Sequence, residues 1–345
     1  MKTLLWPLTL PYRIAVGLRN HLYDAGWLRT RRLPTHVISI GNLTVGGTGK
    51  TPLVIWTANR VLAQGRRVAV VSRGYRRDSR ESRVLVSDGR KLLAGPETAG
   101  DEPCVIAQRC PGAVVAVGAD RAGVSAWVLG RFAVDVIVLD DAFQHRAIAR
   151  DEDVLLIDAT DDEGLRDLLP GGRLREPMAS ARRATAIVVT RAEDPVAAAR
   201  VVRRLEQALG RPPDPVLVQF EAESCVEAVS GTVQPMEWLK GKRVFAFCGI
   251  ANPRVFEDLV PRHGGTMVGT ARYRDHHRYT PSDAAALKAE ARRLDAECVL
   301  TTEKDLVKVA RWFVMNDGLY AVRLAVRVAG GDERLERALG LARAR

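Results

Sequence analysis

From Thr35 onward the apolar residues arrive in short β-branched runs separated by longer amphipathic stretches. The runs fall at His36–Ile40, Val68–Ser72, Val114–Val117, Val134–Leu139, Val154–Ile157 and Ile187–Thr190. Each is nearly continuous in hydrophobicity, as expected of a strand covered on both faces, so the pattern predicts a parallel sheet flanked by helices. Between about Pro215 and Leu239 the pattern changes to alternating strands with turn residues, which reads as a connector. A second α/β unit follows, with strands at Val244–Cys248, Thr266–Gly269 and Val299–Thr301 and helices at Pro253–His263 and Pro281–Leu294. Thr280 can cap the latter helix, with Pro281 at its first position and Leu287, Ala291 and Leu294 as its buried stripe. Leu319–Val328 reads as a strand returning toward the first unit, and Glu333–Arg345 as a terminal helix.

The first 36 residues follow neither period cleanly. Lys2, Arg13, Arg19, Arg29, Arg31 and Arg32 stand there against Asp24 alone, interleaved with Leu4, Leu5, Trp6, Leu8, Leu10, Tyr12, Ile14, Val16, Leu18, Trp27 and Leu28. Two readings fit: a segment lying in a bilayer interface, or an amphipathic helix packed on its own domain. The best apolar stretch, Thr3 to Leu18, is interrupted by Pro7, Pro11 and Arg13, so a spanning helix is not expected, and no small-residue cleavage site follows to suggest a signal peptide.

Composition narrows the field. The 345 residues suffice for two domains, and 47% hydrophobic with 27% charged residues excludes a disordered or collagen-like chain. Five cysteines without a C-x-x-C pair suggest neither a disulfide framework nor a zinc ribbon, and point to a reducing compartment. A net charge of +11 calls for an anionic partner. Nucleic acid is disfavoured because the aromatics cluster with leucines at the N-terminus instead of with basic residues along a binding face.

The strongest chemical signal is Gly46-Gly47-Thr48-Gly49-Lys50-Thr51, just after the first strand. Glycines let backbone N–H groups wrap a polyphosphate, a lysine reaches its β and γ phosphates, and a threonine hydroxyl ligates Mg²⁺. The strict pattern would place glycine at position 44, where this chain has Thr44. A P-loop needs an acid at the end of a neighbouring strand, and Val136-Ile137-Val138-Leu139 followed by Asp140 and Asp141 supplies two.

The run from Gly41 through Thr44, Val45 and Lys50 to Pro52 resembles the variant P-loop of the tetraacyldisaccharide 4′-kinases, in which threonine at this position is usual. Other stretches resemble the same family in order: Ser72-Arg73-Gly74-Tyr75, Gly100-Asp101-Glu102-Pro103, Val117 to Arg121, Leu139 to His145, Leu168 to Pro177, Asp275 to Thr280 and Thr301 to Asp305. Ala142 and Arg274 depart from the family's usual glycine and proline.

The resemblance implies an inner-membrane kinase, monotopic at the cytoplasmic face, that moves the γ-phosphate of ATP, with Mg²⁺, to the 4′-hydroxyl of tetraacyldisaccharide 1-phosphate. It places the ATP site at Thr44, Val45, Gly46, Gly47, Thr48, Gly49, Lys50 and Thr51, and the base at Asp101, supported by His276 across a domain cleft. Lys50, Asp140 and Asp141 complete the catalytic set, Thr51, Asp140 and Glu176 are the expected metal ligands, and Arg121 and Arg175 the phosphate clamps. Residues 1–34 would form the interfacial segment, 35–215 the P-loop core, 216–240 the connector, 241–318 the smaller α/β domain and 319–345 the return to the core. An anionic membrane surface is the expected further partner, with no nucleic acid and no obligate protein partner. Lys304 and Asp305 read as a strand-end salt bridge. A membrane-associated P-loop switch that hydrolyses ATP is the alternative from another class.

Overall fold

The computed structural model describes residues 6–342. Lys2, Leu4 and Leu5 of the basic amphipathic segment, and the last three residues of the expected terminal helix, lie outside that range. The first seven strands are β1 His36–Asn42, β2 Val68–Ser72, β3 Val84–Asp88, β4 Val114–Val117, β5 Val136–Asp140, β6 Glu152–Asp158 and β7 Ala186–Thr190. The remaining six are β8 Val216–Glu227, β9 Val233–Pro235, β10 Arg243–Cys248, β11 Thr266–Arg272, β12 Cys298–Thr302 and β13 Leu319–Val328.

All of them join one mixed sheet in the order β11-β10-β12-β13-β8-β7-β6-β1-β5-β2-β4-β3, with β9 paired to β8. Alternation along each strand explains why both faces are covered. Ile38, Ile40, Val136 and Val138 point to one side, against Leu53, Val54, Ala58 and Val61 of the helix Lys50–Ala63. Val37, Ile137 and Leu139 point to the other, against Val124 and Val128 of the helix Arg121–Leu129. Burial of each such side chain contributes about 1.5–3 kcal/mol, so this two-sided core fixes the register of β1 against β5.

The pairing is parallel except at β3–β4, β8–β9 and β8–β13. The last of these shows how the stretch read as a connector is built into the sheet. β8 pairs in parallel with β7 through Val216–Val218, and its neighbour β13 runs antiparallel to it from Val218 to Glu227. The strand pattern around 215–239 was therefore one long strand and a short one. β3 was not visible in the sequence because its five residues end in Ser87 and Asp88 and pair only at the sheet's edge.

Two helix expectations change for local reasons. The stretch 253–263 is two short helices, Pro253–Glu257 and Leu259–Arg262, because Pro261 lacks an N–H and its ring opposes the carbonyl four residues back, at Glu257. The terminal helix spans Asp332–Ala338 and stops before Gly340, whose φ of +63° turns the chain so that Leu341 joins the core. By contrast, the Pro281–Arg293 helix carries the expected Thr280 cap, completed as a capping box by Asp283. The five cysteines are free and buried.

The N-terminal helix Thr9–Asp24 buries none of its residues fully. Its inward side is polar: Tyr12 donates to the Arg175 carbonyl at 2.9 Å, Asn20 to Glu176 at 3.1 Å, and Arg19 to the Gln144 carbonyl. Its outward side exposes Leu10, Ile14 and Leu18, each more than half accessible, and Leu8 before the helix and Trp27 after it are exposed as well. Among the described residues no helix is long and apolar enough to cross a membrane.

Candidate active site

β1 and β5 lie side by side with Ile40 opposite Asp140, so the glycine loop after β1 and the acids after β5 emerge at the same sheet edge. Gly46 and Gly49 have φ of +124° and +80°, and a Cβ at Gly49 would run into the Phe220 ring. The loop is braced from outside. Arg173 donates to the Val45 carbonyl at 2.9 Å, Arg191 to that of Gly47 at 2.9 Å, and Thr190 to that of Thr48 at 2.9 Å. Thr44 is buried and forms a bridge with Leu174.

Lys50 opens the helix that follows. Its ammonium donates to Asn42 Oδ1 at 3.2 Å and lies 3.6 Å from Asp141. Thr51 is buried beside it. Asp141 has φ of +49° and accepts from Arg175 Nη1 at 2.9 and 3.0 Å, while Arg121 reaches its carbonyl at 3.5 Å. Burial works against ionisation of Asp141, but Lys50 and Arg175 outweigh it and hold the carboxyl below its ordinary range. Both expected clamp arginines thus converge on one aspartate. Arg121 is itself buried, which pulls its guanidinium below the usual arginine value.

Asp140 is the opposite case. Ser72 donates to its Oδ2 at 2.8 Å, while Oδ1 is buried without a partner. Burial, with Glu102 and Asp141 nearby, pushes its carboxyl well above the carboxylate range. A buried carboxylate with an orphan oxygen suits a cation, and Thr51 adds a hydroxyl, so these two residues fit Mg²⁺. Among the described residues no group of three His, Cys, Asp or Glu side chains is placed to hold a metal ion by itself. Glu176 is placed differently. It is buried beneath the N-terminal helix, bonded to Asn20 and 2.8 Å from Arg183.

Asp101 and His276 meet. His276 Nδ1 lies 2.8 Å from Asp101 Oδ2, and the other oxygen of Asp101 accepts from the Glu102 amide at 2.9 Å. His276 has φ of +60°, and its amide donates to the Gly249 carbonyl at 3.2 Å. Although burial opposes its charge, Asp101 is held below the ordinary carboxylate range by His276, Lys304 and Lys308. Its hydrogen bond to Asp101 raises His276 above the usual imidazole value. A cavity of about 180 Å³ adjoins the pair, bordered by Tyr75, Arg76, Arg278, Lys308 and Arg311.

Sequence reasoning missed how the pair is held. Lys304 pairs with Glu102, and Arg109 donates to Glu303 at 2.8 Å, locking the helix Glu303–Val309 against the helix Asp101–Arg109. Asp305 is fully buried and accepts from the Gly249 amide at 2.9 Å and the Thr302 hydroxyl at 2.7 Å. The Lys304–Asp305 pair expected at a strand end is therefore absent, and each residue instead joins distant segments. Nothing local in the sequence signals these partners, which lie as far as 202 residues away.

The chain matches the family described as tetraacyldisaccharide-1-P 4′-kinase, LpxK, over residues 1–342. It is 40% identical to a protein of Anaeromyxobacter sp. (strain Fw109-5) named tetraacyldisaccharide 4′-kinase, over 99% of this chain and 92% of that one. A Bdellovibrio bacteriovorus protein of the same name is 34% identical over 97% of both chains. Among solved structures, LpxK from Aquifex aeolicus, crystallised with ATP, is similar with a TM-score of 0.78 and 31% identity, covering 98% of each chain.

Proposed function

The chain belongs to the tetraacyldisaccharide-1-P 4′-kinase family, and on that premise we propose how its residues divide the work. It is an ATP-dependent kinase that transfers the γ-phosphate to the 4′-hydroxyl of tetraacyldisaccharide 1-phosphate, yielding lipid IVA in lipid A biosynthesis. Phosphoryl transfer needs positioning and charge neutralisation more than covalent help. The glycine loop from Thr44 to Gly49 holds the polyphosphate, and Lys50 reaches its β and γ phosphates. Thr51 and Asp140 would hold Mg²⁺, which when bound would supply charge neutralisation for the phosphates; Glu176, buried beneath the N-terminal helix against Asn20 and Arg183, is the third candidate ligand. Arg121 and Arg175 keep Asp141 oriented toward the phosphate side.

Asp101 receives the proton of the 4′-hydroxyl as that oxygen bonds to phosphorus and the β–γ bridging oxygen leaves with ADP. His276 aligns Asp101 through the 2.8 Å contact that carries this assignment. Because His276 comes from the segment 241–318 and Asp101 from 35–215, approach of two such units would complete the base only when both are in place.

The N-terminal helix supports an anionic membrane surface as the further partner. Globular helices bury their apolar stripe, whereas this one buries polar contacts and presents Leu10, Ile14 and Leu18 outward, with Arg13 nearby to meet lipid phosphates. An acceptor with four acyl chains stays in the bilayer, so the enzyme works at its surface, on the cytoplasmic side where ATP is found.

The test is ³²P transfer from ATP to tetraacyldisaccharide 1-phosphate in anionic vesicles. Wild type should label the lipid. The Leu10→Glu/Ile14→Glu/Leu18→Glu variant should sediment with vesicles about tenfold less and label correspondingly less, with melting unchanged because the stripe is already in water. Release of the label only as inorganic phosphate would refute the kinase, and undiminished sedimentation would refute the interfacial helix.

A further inference from the structure

Lys308 lies where the two halves of the site meet, and the division of work proposed above gives it no part in the reaction. Its side chain is 12% exposed. The ammonium sits 3.8 Å from Asp101 Oδ2, the oxygen that His276 contacts, and 3.0 Å from Asp305 Oδ1. It also stands 5.3 Å over the Tyr279 ring and borders the cavity beside the dyad.

A structural ion pair does not account for this placement. Docking of the Glu303–Val309 helix is already secured by Lys304 on Glu102 and by Glu303 on Arg109. Asp305 is anchored without Lys308, through Gly249 and Thr302. The Lys308 ammonium makes no hydrogen bond of good geometry to either carboxylate, so its three donors are not committed to one partner. A desolvated cation shared by two carboxylates and turned to a cavity is costly unless its charge is used.

We propose that Lys308 is a positioning residue for the proton acceptor, holding Asp101 ionised and aimed at the incoming hydroxyl together with His276. Asp305 connects the two supports. It faces Lys308 on one side and, through the Gly249 amide and carbonyl, fixes the amide of His276 on the other. A Cβ at Gly249 would lie 3.1 Å from Asp305 Oδ1, so this junction is tight. When the acceptor's proton passes to Asp101, Lys308 and His276 lose their shared anion, which favours return of that proton to solvent once the product leaves.

The inference rests on the kinase reading, and its test separates the two. The charged and titratable groups around Asp101 are His276 and Asp275 from one loop, Lys304 and Lys308 from the Glu303–Val309 helix with Asp305 behind Lys308, Glu97, and Glu102 and Cys104 of its own helix, while Tyr75 and Tyr279 line the adjoining cavity. Arg311 and Arg278 border the same cavity but are engaged by Glu97 and Asp78.

The experiment is kcat against pH for wild type, Lys308→Met, Lys308→Arg and, as a neighbouring charge removal, Arg311→Met, with imidazole ¹⁵N titration of His276 in each. Lys308→Met should lower kcat about tenfold on the acid limb of the profile, where Asp101 takes up its proton, with KM for ATP unchanged. Its acid limb should move up by about 1 pH unit, because an opposite charge at this range stabilises the ionised carboxylate by that much or more. The His276 titration should also move up, and Lys308→Arg should restore both. Should Lys308→Met not fold, Lys308→Gln gives the same readings with a neutral side chain of similar length and a polar end. An unmoved limb and His276 titration, or equal shifts in Arg311→Met, would overturn the proposal. Absence of labelled lipid from wild type would instead refute the kinase reading, while the ¹⁵N titration would still judge Lys308.

Discussion

The two sides of the active site are built in opposite ways. On the phosphate side the contacts among the lysine and the acids are near in sequence: Lys50 to Asn42 spans 8 residues, Arg175 to Asp141 spans 34, and Ser72 to Asp140 spans 68, and only the outer braces of the glycine loop, from Arg173, Thr190 and Arg191, reach across 128 to 144. On the proton side Asp101 meets His276 across 175 residues, Glu303 meets Arg109 across 194 and Lys304 meets Glu102 across 202. The first side is centred on one strand pair, with its glycine loop and acids at the ends of β1 and β5, and is braced by Ser72 at the end of β2, by Arg173 and Arg175 between β6 and β7, and by Thr190 and Arg191 at the end of β7. The second exists only when two segments, separated in the sheet order by β6, β7, β8 and β13 on the path from β1 to β12, curl over to touch. Nucleotide binding can therefore be robust while proton acceptance remains conditional.

Loss of Lys50 should break the phosphate side alone and give the largest effect. Lys50→Ala should lower kcat by about 10³ or more, because it removes a charge aimed at the transferring phosphoryl group, while melting stays close to wild type. Near-normal kcat in this variant would remove the P-loop assignment.

A smaller effect should come from loosening the proton side without touching ATP. Asp101 is held low and His276 high by each other, so the sign of the pH dependence follows. The histidine's contribution is complete below its ordinary pKa of about 6.5 and disappears as pH rises through its raised value. The carboxylate's is complete above about 3.9 and disappears as pH falls through its depressed value. His276→Gln should thus destabilise the protein most between about pH 4 and 6.5. A loss of about 1 kcal/mol would lower the melting temperature by about 1–2 °C in a chain of this length. Nucleotide affinity should not change. A melting difference that grows above pH 8 would contradict the pairing.

The same contrast governs what the sequence reveals. The glycine loop, Lys50, Thr51 and the Asp140–Asp141 pair are contiguous, and their chemistry follows from their spacing. Most strands were visible because a parallel sheet covered on both faces writes continuous apolar runs. Asp101 and His276 were found only through family resemblance, since Gly-Asp-Glu-Pro alone reads as a helix start and an isolated histidine as a surface residue. Lys308 carried no signal, and Glu102 and Asp305, although they fall in family-like stretches, gave no hint of their partners, which are set by tertiary apposition. The inverted face of the N-terminal helix was equally hidden. Its residues fit burial or bilayer, and only the hydrogen bonds of Tyr12 and Asn20 show that the polar side faces inward.

Asp101 and His276, from opposite segments, are proposed to serve one proton transfer. Steady-state kinetics of Asp101→Ala, His276→Ala and the double variant, with ATP and tetraacyldisaccharide 1-phosphate, test this most directly. Each single change should cost kcat about 10² to 10⁴ with KM for ATP little altered, and the double variant should be barely worse than the poorer single. If the two losses multiply in the double variant, the residues act independently and the shared base is refuted.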